Sequence, residues 1–390
     1  MTTMMMMLNA AVLRRAVASR AESIIRGLLE QSGIAIGGGE PHDITVHDDR
    51  FYLRTLRDGS LGFGESYMEG WWDAPALDQT IAHILASRTD EKLPVWADSL
   101  LALRARVQNL QSRSRAPEVG KRHYDVGNDL YRAMLDRRMA YTCAYWPAGA
   151  EEADLDAAQE AKLELVCRKI GLSPGMRVLD LGCGWGCFAR YAAERHGAQV
   201  TGYTISERQV ELGRELCAGL PVELHLEDYR TAHGQYDAVV SIGIMEHVGP
   251  RNYRTYMDVV DRCLVPGGLA FIHTIAGNYS NDHIEPWLHR YIFPNAVLPS
   301  MAQMARAMEP RFVIEDVHNI GPHYDRTLMS WWQRFDAAWP TLRHRYDDRF
   351  YRMWRYYLLS CAGIFRTRYA QLFQIVFTRP PTSQPSCRLS

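Results

Sequence analysis

The sequence carries almost no net charge. Its 44 lysines and arginines oppose 45 acidic residues, a formal balance of -1, so nothing draws the whole chain towards nucleic acid and any polyanion contact must be a local patch. A zinc pattern is missing as well: the eight cysteines lie at 143, 167, 183, 187, 217, 263, 361 and 387, and no two form a CxxC pair. No apolar run approaches the roughly 20 residues needed to span a bilayer. The opening MTTMMMMLNAAVLRRAVASR does not read as a signal peptide, because arginines interrupt each apolar stretch before a leader core forms. Scattered cysteines without a secretory leader fit a reduced, cytoplasmic protein, soluble or peripheral on a membrane. Internal repeats and long low-complexity segments are absent too.

What is present is globular: 47% hydrophobic and 23% charged residues suit a packed core. A chain of 390 residues fits two domains. Ten tryptophans and twenty tyrosines exceed ordinary core needs and suit an apolar or cationic ligand. Residues 1–20 read as a leader, poorly ordered or helical. A smaller α+β domain is expected over 21–110, with a helix near Ile24–Leu29, strands at DITVHD and FYLRTL, and helix across 77–110. The polar, proline-containing stretch at 111–120 reads as a linker. Over 121–390, helices and buried strands then alternate: MRVLDLG, QVTGYTI, VELHLEDY, YDAVVSIGI and GLAFIHTI each follow or precede a helical pattern. That alternation predicts an α/β fold, a mostly parallel sheet with helices on both faces. LFQIVFTR, near the end, alternates more and reads as an antiparallel edge.

The sharpest motif is VLDLGCGWG, Val178 to Gly186, a buried strand running into a glycine turn and a helix. Such a turn brings backbone close to a ligand at the carboxyl end of a sheet. A dinucleotide loop would need GxGxxG and an acid about 20 residues on. Here position 187 is cysteine and the second strand ends in Tyr203-Thr204, which argues against NAD or FAD. The pattern D-x-G-x-G-x-G, with Asp180, Gly182, Gly184 and Gly186, is that of class I methyltransferases binding S-adenosylmethionine. With no acid after the second strand, Thr204 or a neighbour must serve the ribose hydroxyls. Asp228 and Tyr229, after the third strand, suit an adenine edge and face.

The acceptor is a separate question. If an alkene carbon attacks the sulfonium methyl, a carbocation forms, and ring closure requires proton removal from the transferred methyl by a nearby base, with water excluded. Glu246 follows the fourth strand and His273 ends the fifth, so both point to the face of the glycine loop. The run MAYTCAYW sets Cys143 among aromatic rings, where it could be a disulfide half, a nucleophile, a ligand or a small hydrophobe. Singly, a buried histidine or cysteine is more often core than ligand.

HYDVGNDLYRAML, YTCAYW, VLDLGCGWG, MEHVGPRNY, HTIAGN, EPWLHRYIFPN and LMSWWQRF, in that order, resemble the bacterial cyclopropane-fatty-acyl-phospholipid synthases. The likeness runs from about Ala21 to Arg379. It implies methylene transfer from S-adenosylmethionine across a cis double bond of a phospholipid acyl chain, with bound bicarbonate as general base. The positions matching the bicarbonate site are Cys143, Glu246, His273, Ile275 through its backbone, and Tyr324. Those matching cofactor contacts are Tyr124, Tyr141, Thr142, Gly182, Thr204, Ile205 and Gln209. Thr142 stands where serine is common, and Cys187 where a smaller residue is usual.

The resemblance also implies an N-terminal lipid-binding domain resting on the inner face of the cell membrane, and a homodimer. From the residues alone, Trp71-Trp72 are interfacial-type aromatics, and Arg104, Arg106, Arg113, Arg115, Lys121 and Arg122 form a basic tract suited to anionic headgroups. Trp331, Trp332, Phe335 and Trp339 suit core and acyl-channel lining. Two rivals share the motifs: an acyl-chain or amine methyltransferase on the same core, and a lipid-binding protein that has kept the fold without activity.

Overall fold

The computed structural model describes residues 2–92, 127–149 and 154–388, with side chains from residue 15. Helix α1 spans Thr2–Gln31, followed by a two-stranded ribbon of β1 (Thr45–Val46) and β2 (Trp72–Asp73) around α2 (Arg50–Met68), and then α3 (Leu77–Ala86). After α4 (Asn128–Met134) and α5 (Leu155–Lys169) come β3 (Arg177–Leu181), α6 (Cys187–His196), β4 (Gln199–Thr204), α7 (Glu207–Leu216), β5 (Val222–Leu226) and β6 (Tyr236–Ile242). The one-turn α8 (Met245–Val248), α9 (Tyr253–Cys263), β7 (Leu264–Gly277), α10 (Pro286–Tyr291) and α11 (Met301–Met308) lead to β8 (Val313–Asn319). Two long helices, α12 (Pro322–Leu342) and α13 (Asp348–Arg366), precede β9 (Ala370–Thr378).

The sheet has seven strands in the order β5-β4-β3-β6-β7-β9-β8. The first five run parallel, and β9 lies antiparallel between β7 and β8. The order reverses beside β3, so the crevice outside the carboxyl ends of β3 and β6 is where an open α/β sheet binds its ligand. Separate buried clusters pack the two faces of this sheet, and a third, aromatic one joins α1–α4 to α12 and α13.

Several expectations need correction. FYLRTL is not a strand but the start of α2, because Phe51, Tyr52 and Thr55 bury one helical stripe. That helix kinks at Gly59 (φ 58°, ψ -136°) and runs through the glycine-rich segment to Met68. Strand β9 is not an edge. The edge is β8, whose charged, half-exposed VIEDVHN hid it from a hydrophobic pattern. Strand β7 begins before GLAFIHTI, at Leu264, and takes in Pro266 and its two glycines, where the register against β6 slips between Tyr236 and Ala238. Trp72 is no interfacial residue: it is fully buried and its indole donates to the Phe63 carbonyl at 3.0 Å. Trp71 is half-buried, with the Arg50 guanidinium 4.4 Å from its ring centre. The helix expected across 77–110 ends at Ala86, residues 87–92 hold a turn and a short 3₁₀ helix instead, and 93–110 lie outside the described residues. The linker and the basic tract at 104–122 fall outside them.

Candidate active site

Strand β3 ends at Leu181 and the chain turns through Gly182, Gly184 and Gly186, all with positive φ, before α6 begins. At Gly182, φ is +80° and a Cβ would lie 3.0 Å from the Ile244 side chain, so only glycine lets the loop pass there. Above this turn lies a cavity of about 180 Å³. Its walls include Tyr141, Thr142, Asp180, Gly182, Gly184, Thr204, Ile205, Gln209, Asp228 and Tyr229. Gly186 shapes the turn without lining the cavity, and Tyr124 lies outside the described residues.

The polar groups at the β4 end are already organised. Thr204 Oγ1 donates to Gln209 Oε1 at 3.0 Å, and Ser206 caps α7 by accepting from the Gln209 amide. Both oxygens of Asp228 accept from Arg230, one from its amide at 2.9 Å and one from its guanidinium at 2.8 Å. The Tyr229 hydroxyl is buried without a partner. Asp180 is buried, which pushes its carboxyl up to about 7 against the pull of Lys162.

A second cavity, of about 100 Å³, adjoins the first. Tyr141, Thr142, Gly243 and His247 line both. Gly243 has φ +77°, and a Cβ there would strike Thr142 Cγ2 at 2.9 Å, so glycine keeps this junction open. Glu246, His273, Ile275 and Tyr324 line the second cavity, otherwise walled by Leu288, Phe293, Leu298, Tyr357, Cys361 and other apolar groups. Topology accounts for the meeting: β6 and β7 are parallel neighbours, Ile242 pairs with His273, and α8 follows β6 at once.

Glu246 Oε1 accepts from the Ile275 amide at 2.6 Å, while Oε2 is buried with no hydrogen-bond partner among the described residues. Burial pushes this carboxyl up to about 7, against the hydrogen bond from Ile275. His273 Nε2 is also buried without a partner, and the Gln374 side-chain amide lies 3.4 Å from Nδ1. Burial holds His273 well below the usual histidine range and His247 down at about 4, so both are neutral near pH 7. Burial likewise raises the Tyr324 hydroxyl and the Cys143 thiol, so both keep their protons. Cys143 is fully buried but lines neither cavity; its thiol donates to the Ala144 carbonyl at 3.2 Å. Ile275 contributes by orienting Glu246, and its carbonyl already accepts from Thr274 at 3.0 Å.

Four contributors were not assigned from sequence. Lys162 is buried in the wall of the first cavity, His247 sits at the junction, Tyr357 bonds Tyr141 at 2.8 Å, and Gln374 supports His273. Lys162 lies in a helix that looks amphipathic, where a lysine signals solvent, so nothing local marked it. The tryptophan-rich helices are core: Trp331 and Phe335 are fully buried, and none of Trp331, Trp332, Phe335 and Trp339 lines either cavity. Eight free thiols and no metal-ligand cluster are found among the described residues.

A model of the mycolic acid cyclopropane synthetase family matches residues 111–375. The chain belongs to this family. It is 50% identical over 358 residues to the cyclopropane-fatty-acyl-phospholipid synthase of Escherichia coli K12, covering 91% of this chain and 93% of that one. It is 34% identical over 403 residues to a tuberculostearic acid methyltransferase of Mycobacterium tuberculosis, covering 96% and 92%. Among solved structures, a mycolic acid cyclopropane synthase complexed with SAH and CTAB superposes with a TM-score of 0.63 at 28% identity, over 69% of this chain and 99% of that chain. The fold is that of the class I methyltransferases, and the chain is an S-adenosylmethionine-dependent methyltransferase of the cyclopropane synthase family.

Proposed function

We propose that this enzyme transfers a methylene from S-adenosylmethionine across the cis double bond of an unsaturated phospholipid acyl chain, with bicarbonate held beside Glu246 and His273. The observation that carries the reading is a pair of unpartnered buried atoms, Glu246 Oε2 and His273 Nε2, in an apolar cavity that opens onto the donor cavity. Buried polar atoms are rarely left unpaired, and this pair suits a small ion with both an O–H and acceptor oxygens. Gln374 donating to Nδ1 of His273 leaves the ring proton on Nε2, where it can donate to an anion, while Glu246 Oε2 can accept an O–H. Tyr324 keeps its proton and adds a donor. When bound, the bicarbonate supplies the base for the transferred methyl.

The chain's own residues do the rest. The glycine turn and Gln209 hold the donor, with Asp228 and Tyr229 at its adenine end. The apolar wall of the second cavity excludes water from the cation, and the Tyr141 and Tyr324 rings offer it negative faces. Ile284, Leu288, Leu298, Ile364 and Ala370 line the second cavity and also a third, of about 370 Å³, between α1–α3 and α13. We read this continuation as the acyl path, with the N-terminal helices as its outer wall. No described helix is long and apolar enough to cross a membrane. In this reading the enzyme meets its lipid peripherally on the inner face of the cell membrane and acts as a homodimer.

Lipid mass spectrometry tests it, after incubation with S-adenosylmethionine and vesicles of cis-unsaturated phospholipid. A gain of one CH₂ with loss of the double bond is expected. The same gain with the double bond retained would instead mean simple methylation, and no gain despite SAH binding would redirect the search to amines. Depleting carbonate from the buffer should abolish turnover, and a rate unchanged by depletion would remove bicarbonate from the mechanism.

A further inference from the structure

Helix α5 buries two lysines, each only 1% exposed. Lys169 resolves its charge in the usual way, with the Asp316 carboxylate 2.6 Å away. Lys162 does not. Among the described residues its one hydrogen bond goes to the Thr142 hydroxyl at 2.8 Å; Asp136 and Asp180 pull on its charge, but neither forms an ion pair with it. A buried ammonium with no carboxylate in contact is poorly compensated, so an anion bound at this wall stabilises it.

The surroundings indicate which anion. Lys162, Thr142 and Asp180 line the same cavity, beside the glycine turn. One turn earlier on α5, Gln159 donates to the Thr142 carbonyl at 2.8 Å, so the helix grips Thr142 by hydroxyl and carbonyl together. The other charged group nearby, Asp136, is satisfied by the Arg138 and Ala140 amides at 2.9 and 2.7 Å. The cavity wall therefore presents one buried ammonium and one buried carboxyl group that feel each other's charge without hydrogen-bonding. A zwitterion complements that arrangement, and the methyl donor ends in one: an α-ammonium and an α-carboxylate.

We propose that Lys162 is the counter-charge for the α-carboxylate of the methyl donor, acting through the Thr142 hydroxyl, with Asp180 facing the α-ammonium. This rests on the reading of the first cavity as the donor site. Thr142 Oγ1 accepts from Lys162 and has its own proton left to donate, so the lysine, in the cavity wall, polarises the hydroxyl towards an anion. Lys162 is thus a positioning residue for the donor. It fixes the amino-acid end so that the sulfonium reaches the junction lined by Tyr141, Gly243 and His247.

The test is calorimetric binding to the full chain, using SAH and its decarboxylated analogue, which keeps the amine. Lys162→Met should weaken SAH binding about 10- to 100-fold, the range of a lost charge-assisted contact, and change binding of the analogue less than about 3-fold. Asp180→Asn should weaken both. Thr142→Val, which keeps Lys162 and removes the relay, should reproduce the Lys162→Met pattern and covers the case of a Lys162 variant that fails to fold. Equal losses on both ligands in the Lys162 and Thr142 variants would overturn the proposal, since a merely structural lysine cannot tell a carboxylate from its absence. Unchanged SAH binding would overturn it too, while leaving the donor site in place. Failure of the unaltered chain to bind SAH would overturn the donor-site reading along with it.

Discussion

Glu246 has one oxygen fixed by the Ile275 amide and the other without a partner. Glu246→Gln keeps the shape but removes the acceptor, so turnover should fall at least about 100-fold, on the scale of lost general acid–base assistance, while SAH affinity stays within a few-fold. Normal turnover in that variant would exclude Glu246 from the chemistry. The same carboxylate has a stability signature. Its folded pKa is raised to about 7 from 4.5, so the folded state holds more protons between those values and stability falls as pH rises through that window. Asp180, also raised to about 7, acts in the same sense. His247, lowered to about 4 from 6.5, acts in the opposite one, adding stability as pH rises from about 4 to 6.5. Relative to the unaltered ligand-free protein, Glu246→Gln should therefore gain on the order of 2 kcal/mol between pH 5 and pH 8. Urea midpoints at the two pH values measure this, and parallel shifts would show that Glu246 is not buried as an acid.

At the scale of elements, glycines decide how closely the N-terminal helices approach the catalytic core. Gly64 on α2 faces α10 and α13: a Cβ there would lie 2.5 Å from Trp287 Cδ1 and 2.9 Å from Tyr356 Cε1. Both rings are buried. Gly64→Ala should destabilise by about 1–3 kcal/mol through overpacking, read as a lower thermal midpoint, and an unchanged midpoint would mean that the helices can separate at little cost. The contrast between β3 and β8 shows which elements a pattern reveals. RVLDL is buried at four of its five positions because a central strand is covered on both faces, whereas β8 is recognisable only from its pairing with β9.

Across the whole molecule, arginines of α13 tie the N-terminal layer to the core. Arg352 donates to the Trp72 carbonyl at 2.9 Å and to Asp73 at 2.8 Å, and its guanidinium lies 4.2 Å from the Tyr67 ring centre. Arg366 joins Asp78 of α3 to Asp325 of α12, at 2.6 and 2.9 Å. Arg352→Met leaves acceptors unpaired and should cost about 2 kcal/mol, with faster proteolytic release of the first 90 or so residues under native conditions. An unchanged cleavage rate would mean that apolar packing alone holds the layer.

The local sequence determined the central strands, the glycine turn and the donor class, because each depends on neighbours within a few residues: an apolar run, positive φ at Gly182, a helix following directly. It also named Glu246 and His273, since residues at the carboxyl ends of adjacent parallel strands must share a face. Tertiary structure alone decided the rest. Whether Lys162 meets water or Thr142, whether Ile275 holds an anion or Glu246, and whether Trp72 faces lipid or Phe63 depend on which distant surface packs against each residue. No periodicity encodes that, because these contacts are made to partners 9 to 29 residues away, beyond the reach of a local pattern.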